Sequence, residues 1–320
     1  MTNDINTDGK TIIHIALACD DNYAFYCAET IVSILVNEKN DNIFYHFYIL
    51  QDKLLDINKE RILKLKDTVK DCTIEFIDID TSETEALKLA TCYRLKLASL
   101  LPNLDKIIYT DCDVTFLDGL EEIWNEDIED YDSGNCVDWG YDQERIREHF
   151  LEECNLSEED IDVDSYDFLF NAGFMIMNLK KIREDNVEQL MLDFSKKYPN
   201  LPLYDQDIMN LTTNSKIKPI SFKWSFLISY YLNKSNKIKI TDEQLLEELK
   251  YSAKHPKMMH FLANKKPTTI YKSIFHPFSY RIVNKYKMKF WDYVALTDWK
   301  DEKTYEVVYK FPFGFLNKKK

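Results

Sequence analysis

Four short apolar runs separated by amphipathic spacers fill the first third of the chain, and they leave few folds open. "TIIHIALAC" (11–19), "FYHFYIL" (44–50) and "KIIYT" (106–110) read as strands, the last of them buried, and "CTIEFIDI" (72–79) alternates as a further strand. Between them lie helical spacing around residues 23–37, a Lys-rich amphipathic stretch near 55–70, and "TCYRLKLASLL" (91–101), stopped at Pro102. Strands alternating with helices of this length predict right-handed β-α-β units and a largely parallel sheet covered on both faces, an α/β class. Sheets of this kind bind ligands in a crevice at the carboxyl ends of their strands. Asp20, Asp21 and Asn22 end the first strand; Asp111 and Asp113 end the fourth. No Gly-x-Gly-x-x-Gly follows the first strand and no Walker-type phosphate loop occurs, so the usual dinucleotide and P-loop fingerprints are missing.

Asp-x-Asp occurs in this Asp-rich chain at six places, 78/80, 111/113, 130/132, 160/162, 162/164 and 205/207, so context must separate them. An extended i, i+2 pair projects both carboxylates to one side, where they repel. At 111/113 the preceding buried strand holds the pair at the crevice, and a hard divalent ion such as Mg2+ or Mn2+ would relieve the repulsion. Such ions are usually shared with phosphates, which makes a nucleotide the natural ligand. The pairs at 130/132 and 160/162/164 read instead as solvated loop aspartates. Further on, "FLFNAGFMIMNLKK" (168–181) sets Asn171-Ala172-Gly173 ahead of a strand, with Gly173 allowing close backbone approach. "LYDQDIMNL" (203–211) opens a helix in which Asp205 reads either as an N-cap or, with Gln206, as a partner for sugar hydroxyls.

Composition sets outer limits. A chain of 320 residues with 45% hydrophobic content can bury one large core, and a net charge of −14 argues against nucleic acid as a partner. The seven cysteines contain no C-x-x-C pair, so reduced thiols are expected rather than disulfides or structural zinc. No run is long enough to span a membrane and the N-terminus is polar, which points to the cytoplasm. Residues 254–290 carry nine basic side chains and no acidic one, with many aromatics among them. This reads as a solvated basic face, or as an anion site whose first part meets phosphates and whose tail, "FPFGFLNKKK", meets anionic lipid headgroups.

Taken together, the segments "ALACDDNYAFYCAETIVSIL" (16–35), "YRLKLASLLPNLDKIIYTDCDVTFLDGLEEIW" (93–124), "FNAGFMIMNLKK" (170–181), "YDQDIMN" (204–210) and "HFLANKKP" (260–267) resemble glycosyltransferase family 8. This is a retaining, metal-dependent family that includes bacterial lipopolysaccharide galactosyl- and glucosyltransferases and glycogenin. The resemblance implies a GT-A type nucleotide-sugar-binding fold with a mixed, mainly parallel central sheet, a catalytic domain over residues 1–280 and a basic, aromatic appendage over 281–320. It implies a UDP-glucose or UDP-galactose donor, with Ala18, Asp20, Asn22 and Tyr23 on the uracil and ribose and Cys112 touching the ribose through its backbone. Arg94 would reach the donor's phosphate or sugar. Asp111, Asp113 and His260 would ligate Mn2+ or Mg2+, Lys266 would neutralise the diphosphate, and Asn171, Ala172, Asp205 and Gln206 would face the hexose. Gln206 is a poor nucleophile, so front-side attack is favoured, with Gln206 or Asp205 as the catalytic support.

Where the family reads His-x-x-Gly-x-x-Lys-Pro-Trp, this chain has Ala263 for the Gly and Thr268 for the Trp, which bears on closure over the diphosphate. The acceptor is expected to be a glycan, lipid-linked or of lipopolysaccharide type, with peripheral membrane contact through the C-terminus on the inner face of the plasma membrane. A glycoprotein acceptor, a metal-dependent nucleotide hydrolase or nucleotidyltransferase, and an inactive lectin-like binder are the competing readings. Trp139, Tyr141, Phe150, Tyr166 and Phe168 read either as an acceptor-stacking surface or as core.

Overall fold

The computed structural model describes residues 9–232, 238–262, 266–273, 277–311 and 314–318. Its centre is a seven-stranded sheet in the order β3-β2-β1-β4-β7-β6-β8. The strands are β1 (Thr11–Ala18), β2 (Ile43–Gln51), β3 (Thr73–Asp78), β4 (Lys106–Thr110), β6 (Ser133–Val137), β7 (Phe170–Asn178) and β8 (Ile217–Ile220). β5 (Val114–Phe116) lies in a second, three-stranded sheet with β9 (Phe226–Leu227) and β10 (Met258–His260). The four strands expected from the sequence lie side by side and parallel, whereas β7 runs antiparallel to both β4 and β6, which makes the sheet mixed.

Alternate residues feed two cores, as a two-sided sheet requires. Ile13, Ile15 and Leu17 of β1 face one layer together with helix α1 (Ala24–Asn37), while Ala16 faces the other with Ile107 and Tyr109 of β4. A further helix, α2 (Asp56–Leu63), lies between β2 and β3 in the chain.

Three local expectations are corrected. The stretch read as one helix over 91–101 is a 3-10 segment from Ala90 to Lys96 followed by a single α turn, Leu97–Leu100. Arg94 Nε takes the Thr91 carbonyl at 2.8 Å, the acceptor that an α turn would give to the next amide. Asn171, Ala172 and Gly173 lie inside β7 rather than ahead of it, and the Gly173 carbonyl extends the ladder to the Asp111 amide at 2.8 Å. Asp132 is not solvated: it is buried at the start of β6 with no hydrogen-bond partner for either carboxylate oxygen, and burial pushes its pKa up.

Helix α3 (Asp205–Thr213) follows Tyr204, whose φ of 46° is left-handed. Helix α4 (Pro277–Val294) packs on α1 through Phe290, edge-on to Phe25 at 6.2 Å. It runs across the boundary expected after residue 280. A third sheet then pairs β11 (Thr269–Ser273) with β12 (Glu306–Phe311) and β13 (Gly314–Lys318). No helix among the described residues is long and apolar enough to cross a membrane.

Candidate active site

At the carboxyl ends of β1 and β4 a cavity of about 370 Å³ is lined by Ala18, Asp20, Tyr23, Thr91, Asp111, Cys112, Asp113 and Lys266, among others. That volume lies within the range of small-molecule sites. Asp20 holds the turn by accepting from the Tyr23 amide at 2.9 Å, and Tyr23 carries the Lys266 ammonium over its ring at 4.9 Å. Asn22 is exposed in that turn and is not part of the lining. Cys112 points its thiol at the Ala18 carbonyl (3.1 Å), and its own carbonyl accepts from Thr30 (2.8 Å), so the loop carrying both aspartates is fastened to β1 and α1.

β10 delivers His260 to the aspartates. The strand pairs antiparallel with β5, His260 against Val114, and the Phe261 amide donates to the Asp113 carbonyl at 2.9 Å. His260 Nε2 then lies 3.6 Å from Asp111 and 3.4 Å from Asp113. The imidazole is fully buried, yet neither ring nitrogen has a hydrogen-bond partner. A buried imidazole left unpaired is costly unless something else uses its lone pair. One ligand atom from each of Asp111, Asp113 and His260 falls within 4.8 Å of the other two. Two carboxylates and one imidazole suit a divalent ion of the Mn2+ or Mg2+ type, so the residues present fit a metal.

Gly173 makes the arrangement possible. A Cβ placed there would lie 2.9 Å from an Asp111 oxygen and 3.0 Å from His260 Nδ1, and closer still to His260 Cε1. Burial raises the Asp113 pKa, but the contacts with His260 and Lys266 outweigh it and hold the carboxyl at about 2. Lys266 contacts Asp113 directly. Ala263 and Lys265 lie outside the described residues; Thr268 is described and half-buried.

Arg94 is buried at the back of this site. Its guanidinium hydrogen-bonds Asp111 at 2.6 Å, lies 3.1 Å from Asp205 and sits 4.0 Å over the Tyr109 ring, and it also donates to the Ala172 carbonyl. The structure therefore sets Arg94 against the two carboxylates. Asp205 is the first residue of α3, not its cap: its carboxylate accepts from Thr91 at 2.5 Å. Burial pushes it up to about 6, against the pull of Arg94 and Thr91.

Gln206 accepts from the Asn171 side chain and the Ala172 amide, both at 3.2 Å, and hydrogen-bonds Asp138. Asp138, just past β6, joins the group although no motif in the sequence marks it. Its only local signal is an aspartate closing the buried strand "SGNCV", the same strand-end logic that marks Asp111. Of the five aromatics offered for acceptor stacking, Trp139, Phe150 and Tyr166 are buried core. Tyr141 and Phe168 are partly buried and line a separate cleft of about 630 Å³ with Asp142, Asp167 and Asp242.

A mixed sheet with a nucleotide-sized cavity and a metal-ready Asp-Asp-His group at its strand ends defines a GT-A type glycosyltransferase. The chain belongs to glycosyl transferase family 8, whose model matches residues 14–267. It is 32% identical over 223 residues to a Haemophilus influenzae protein named only as a glycosyltransferase, covering 67% of this chain and 63% of that one. It is 25% identical to a lipopolysaccharide 1,2-glucosyltransferase of Escherichia coli over 72% of this chain and 68% of that one. The fold matches galactosyltransferase LgtC, solved with donor and acceptor sugar analogs, at a TM-score of 0.66 and 21% identity, covering 87% of this chain and 96% of LgtC. As in that family generally, a nucleotide-sugar donor, a divalent metal and a glycan acceptor are implied.

Proposed function

We propose that this chain transfers glucose or galactose from the UDP-sugar to a glycan acceptor with retention of configuration, assisted by Mn2+ or Mg2+. The observation that carries this reading is the buried, unpartnered His260 imidazole beside Asp111 and Asp113, beneath a cavity that also receives Lys266. A divalent ion there would act as a Lewis acid on the departing diphosphate. In this reading Lys266 supplies the fixed cation for the same charge, and Ala18, Asp20 and Tyr23 form the wall against the nucleoside, with Asn22 at its rim. Cys112 presents backbone to the ribose. Asn171, Ala172, Asp205 and Gln206 hold the hexose, joined by Asp138.

Asp205 is engaged by Arg94 and Thr91, and Gln206 carries no charge, so neither supplies a free carboxylate nucleophile. That supports front-side attack, with the leaving diphosphate oxygen taking the acceptor's proton. A lipid-linked or lipopolysaccharide-type acceptor is supported by α4, where Phe278 is 78% exposed and Ile282 exposed, on the same face as Arg281, Lys285 and Lys289. The basic segment beyond residue 280 then acts as the membrane-facing appendage of the catalytic unit. The side chains of "FPFGFLNKKK" lie outside the described residues.

The test is a donor screen with UDP-glucose and UDP-galactose, Mn2+ and a panel of glycan acceptors, with and without EDTA. Expected are UDP release and a glycosylated product from one donor, both lost with EDTA. Nucleotide turnover without any sugar transfer would instead mark a hydrolase, and donor binding without turnover a lectin-like protein.

Asp205 sets a pH dependence. Ionised Asp205 is the form that pairs with Arg94, so transfer is expected to rise with pH through about 6. The rise should vanish in Asp205→Asn, leaving a lower and flatter profile. Stability runs the other way. The folded-state pKa lies above the ordinary 3.8, so the native protein holds a proton that the unfolded chain releases, and this contribution is lost as pH climbs from about 4 to about 6. Urea midpoints of the wild type measured against Asp205→Asn across that window check the sign.

A further inference from the structure

Behind the nucleotide cavity three thiols converge. The sulfur atoms of Cys19, Cys27 and Cys112 lie within 4.8 Å of one another, and all three residues are free and buried. They come from separate parts of the chain: the end of β1, the first turn of α1, and the loop between the metal-ligand aspartates. Cys112 donates to the Ala18 carbonyl at 3.1 Å and Cys19 to the Asp20 carbonyl at 3.3 Å, so two of the sulfurs have their positions fixed by backbone. Cys27 Sγ completes the triangle from α1. Among the described residues, no other candidate ligand group contains more than one cysteine. Three small apolar side chains packing a core would also fill this space, but they would not need their sulfurs to meet. Cys112 also lines the cavity, so the cluster lies directly behind its wall.

The chemistry of the cluster selects its ligand. Soft sulfur donors take thiophilic elements, not the hard ion expected at the aspartates. A divalent metal on three thiolates would leave a buried net negative charge next to Asp111 and Asp113, at a large desolvation cost. A trivalent metalloid on three thiolates leaves none. A neutral hydroxide is the matching reagent.

We propose that Cys19, Cys27 and Cys112 form a capture site for a neutral trivalent metalloid hydroxide, with arsenous acid as its representative. Three As–O bonds break and three As–S bonds form. Each thiol proton leaves with a hydroxyl as water, so three waters are released, arsenic stays trivalent and no oxidant or reductant is consumed. The product is uncharged. It ties Cys112, and through it the loop bearing both aspartates, to α1 and the end of β1.

The proposal is independent of the donor sugar and of turnover, and its test reads mass and sulfur coordination. The purified, reduced full-length chain is titrated with arsenite and analysed by native mass spectrometry and arsenic X-ray absorption. Expected are one arsenic per chain at the cost of three hydrogens, a first shell of three sulfurs, and retention of that adduct in Cys72→Ser, a buried thiol outside the cluster. Cys27→Ser and Cys27→Ala should each lose the three-sulfur adduct; two variants are used so that a folding defect in one does not decide the matter, and thermal melts identify such a defect. No adduct on the folded wild type would overturn the proposal. So would an adduct that keeps an oxygen and costs two hydrogens, or one that persists unchanged in a folded Cys27 variant.

Discussion

Asp113→Asn is expected to lower sugar transfer by about two to three orders of magnitude, the scale on which removing one fixed electrostatic partner of a transition state is felt. The isostere keeps the shape of a buried position and removes its charge. That charge is what holds Lys266 in contact, and the contacts with His260 and Lys266 in turn hold the carboxyl at about 2 despite burial. With the amide in place, the site offers a metal one carboxylate and one imidazole, and metal affinity should fall along with activity. Two measurements are needed: initial rates over a range of Mn2+, and Mn2+ binding followed by electron paramagnetic resonance without donor. Activity and binding both at wild-type levels would sink the metal assignment of Asp111, Asp113 and His260.

Gly173→Ala is expected to be nearly as damaging, although it removes no functional group. Gly173 has no left-handed φ to justify it, so the requirement is space. The added methyl would press on His260 and on an Asp111 oxygen, and β7 cannot retreat because it is paired with β4 on one edge and β6 on the other. Overpacking of this kind costs roughly 1–3 kcal/mol. His260 is expected to yield by moving away from the aspartates. The signature is a modest drop in melting temperature with a large loss of Mn2+ affinity and of transfer, whereas Gly134→Ala, next to Ile176 and Ile220 and away from the site, should lose stability alone. Equal effects of both substitutions on Mn2+ binding would refute the steric account.

β1, β2 and β4 were legible because they are largely buried on both faces and read as nearly continuous apolar runs, as in "TIIHIALAC" and "KIIYT", whereas the half-exposed edge strand β3 was legible by its alternation. β7 was legible as a strand but not in direction, since antiparallel pairing with β4 is decided by the connection, not by local pattern. The 3-10 segment at Ala90–Lys96 was hidden for a different reason. Its apolar spacing is helical, and only the buried Arg94, drawn toward distant Asp111 and Asp205, tightens the turn. In the site, Asp111, Asp113, His260 and Lys266 could be nominated by residue type and order, and the chain does bring them together. Asp138 could not be, because its role depends on where β6 ends relative to α3, a long-range fact.

Arg94 bridges Asp111 of the Asp-Asp-His group and Asp205 of α3, and it is seated on Tyr109. Energies of residues joined this way do not add. A change at Asp205 made to alter sugar preference would release Arg94 toward Asp111 and so alter the metal site in the same stroke. In the proposed reading, variation in which hexose is accepted is therefore cheaper at Asn171 and Asp138, which touch Gln206 without passing through the guanidinium. The bridge divides the donor pocket into a side that can drift and a side that can change only as a unit.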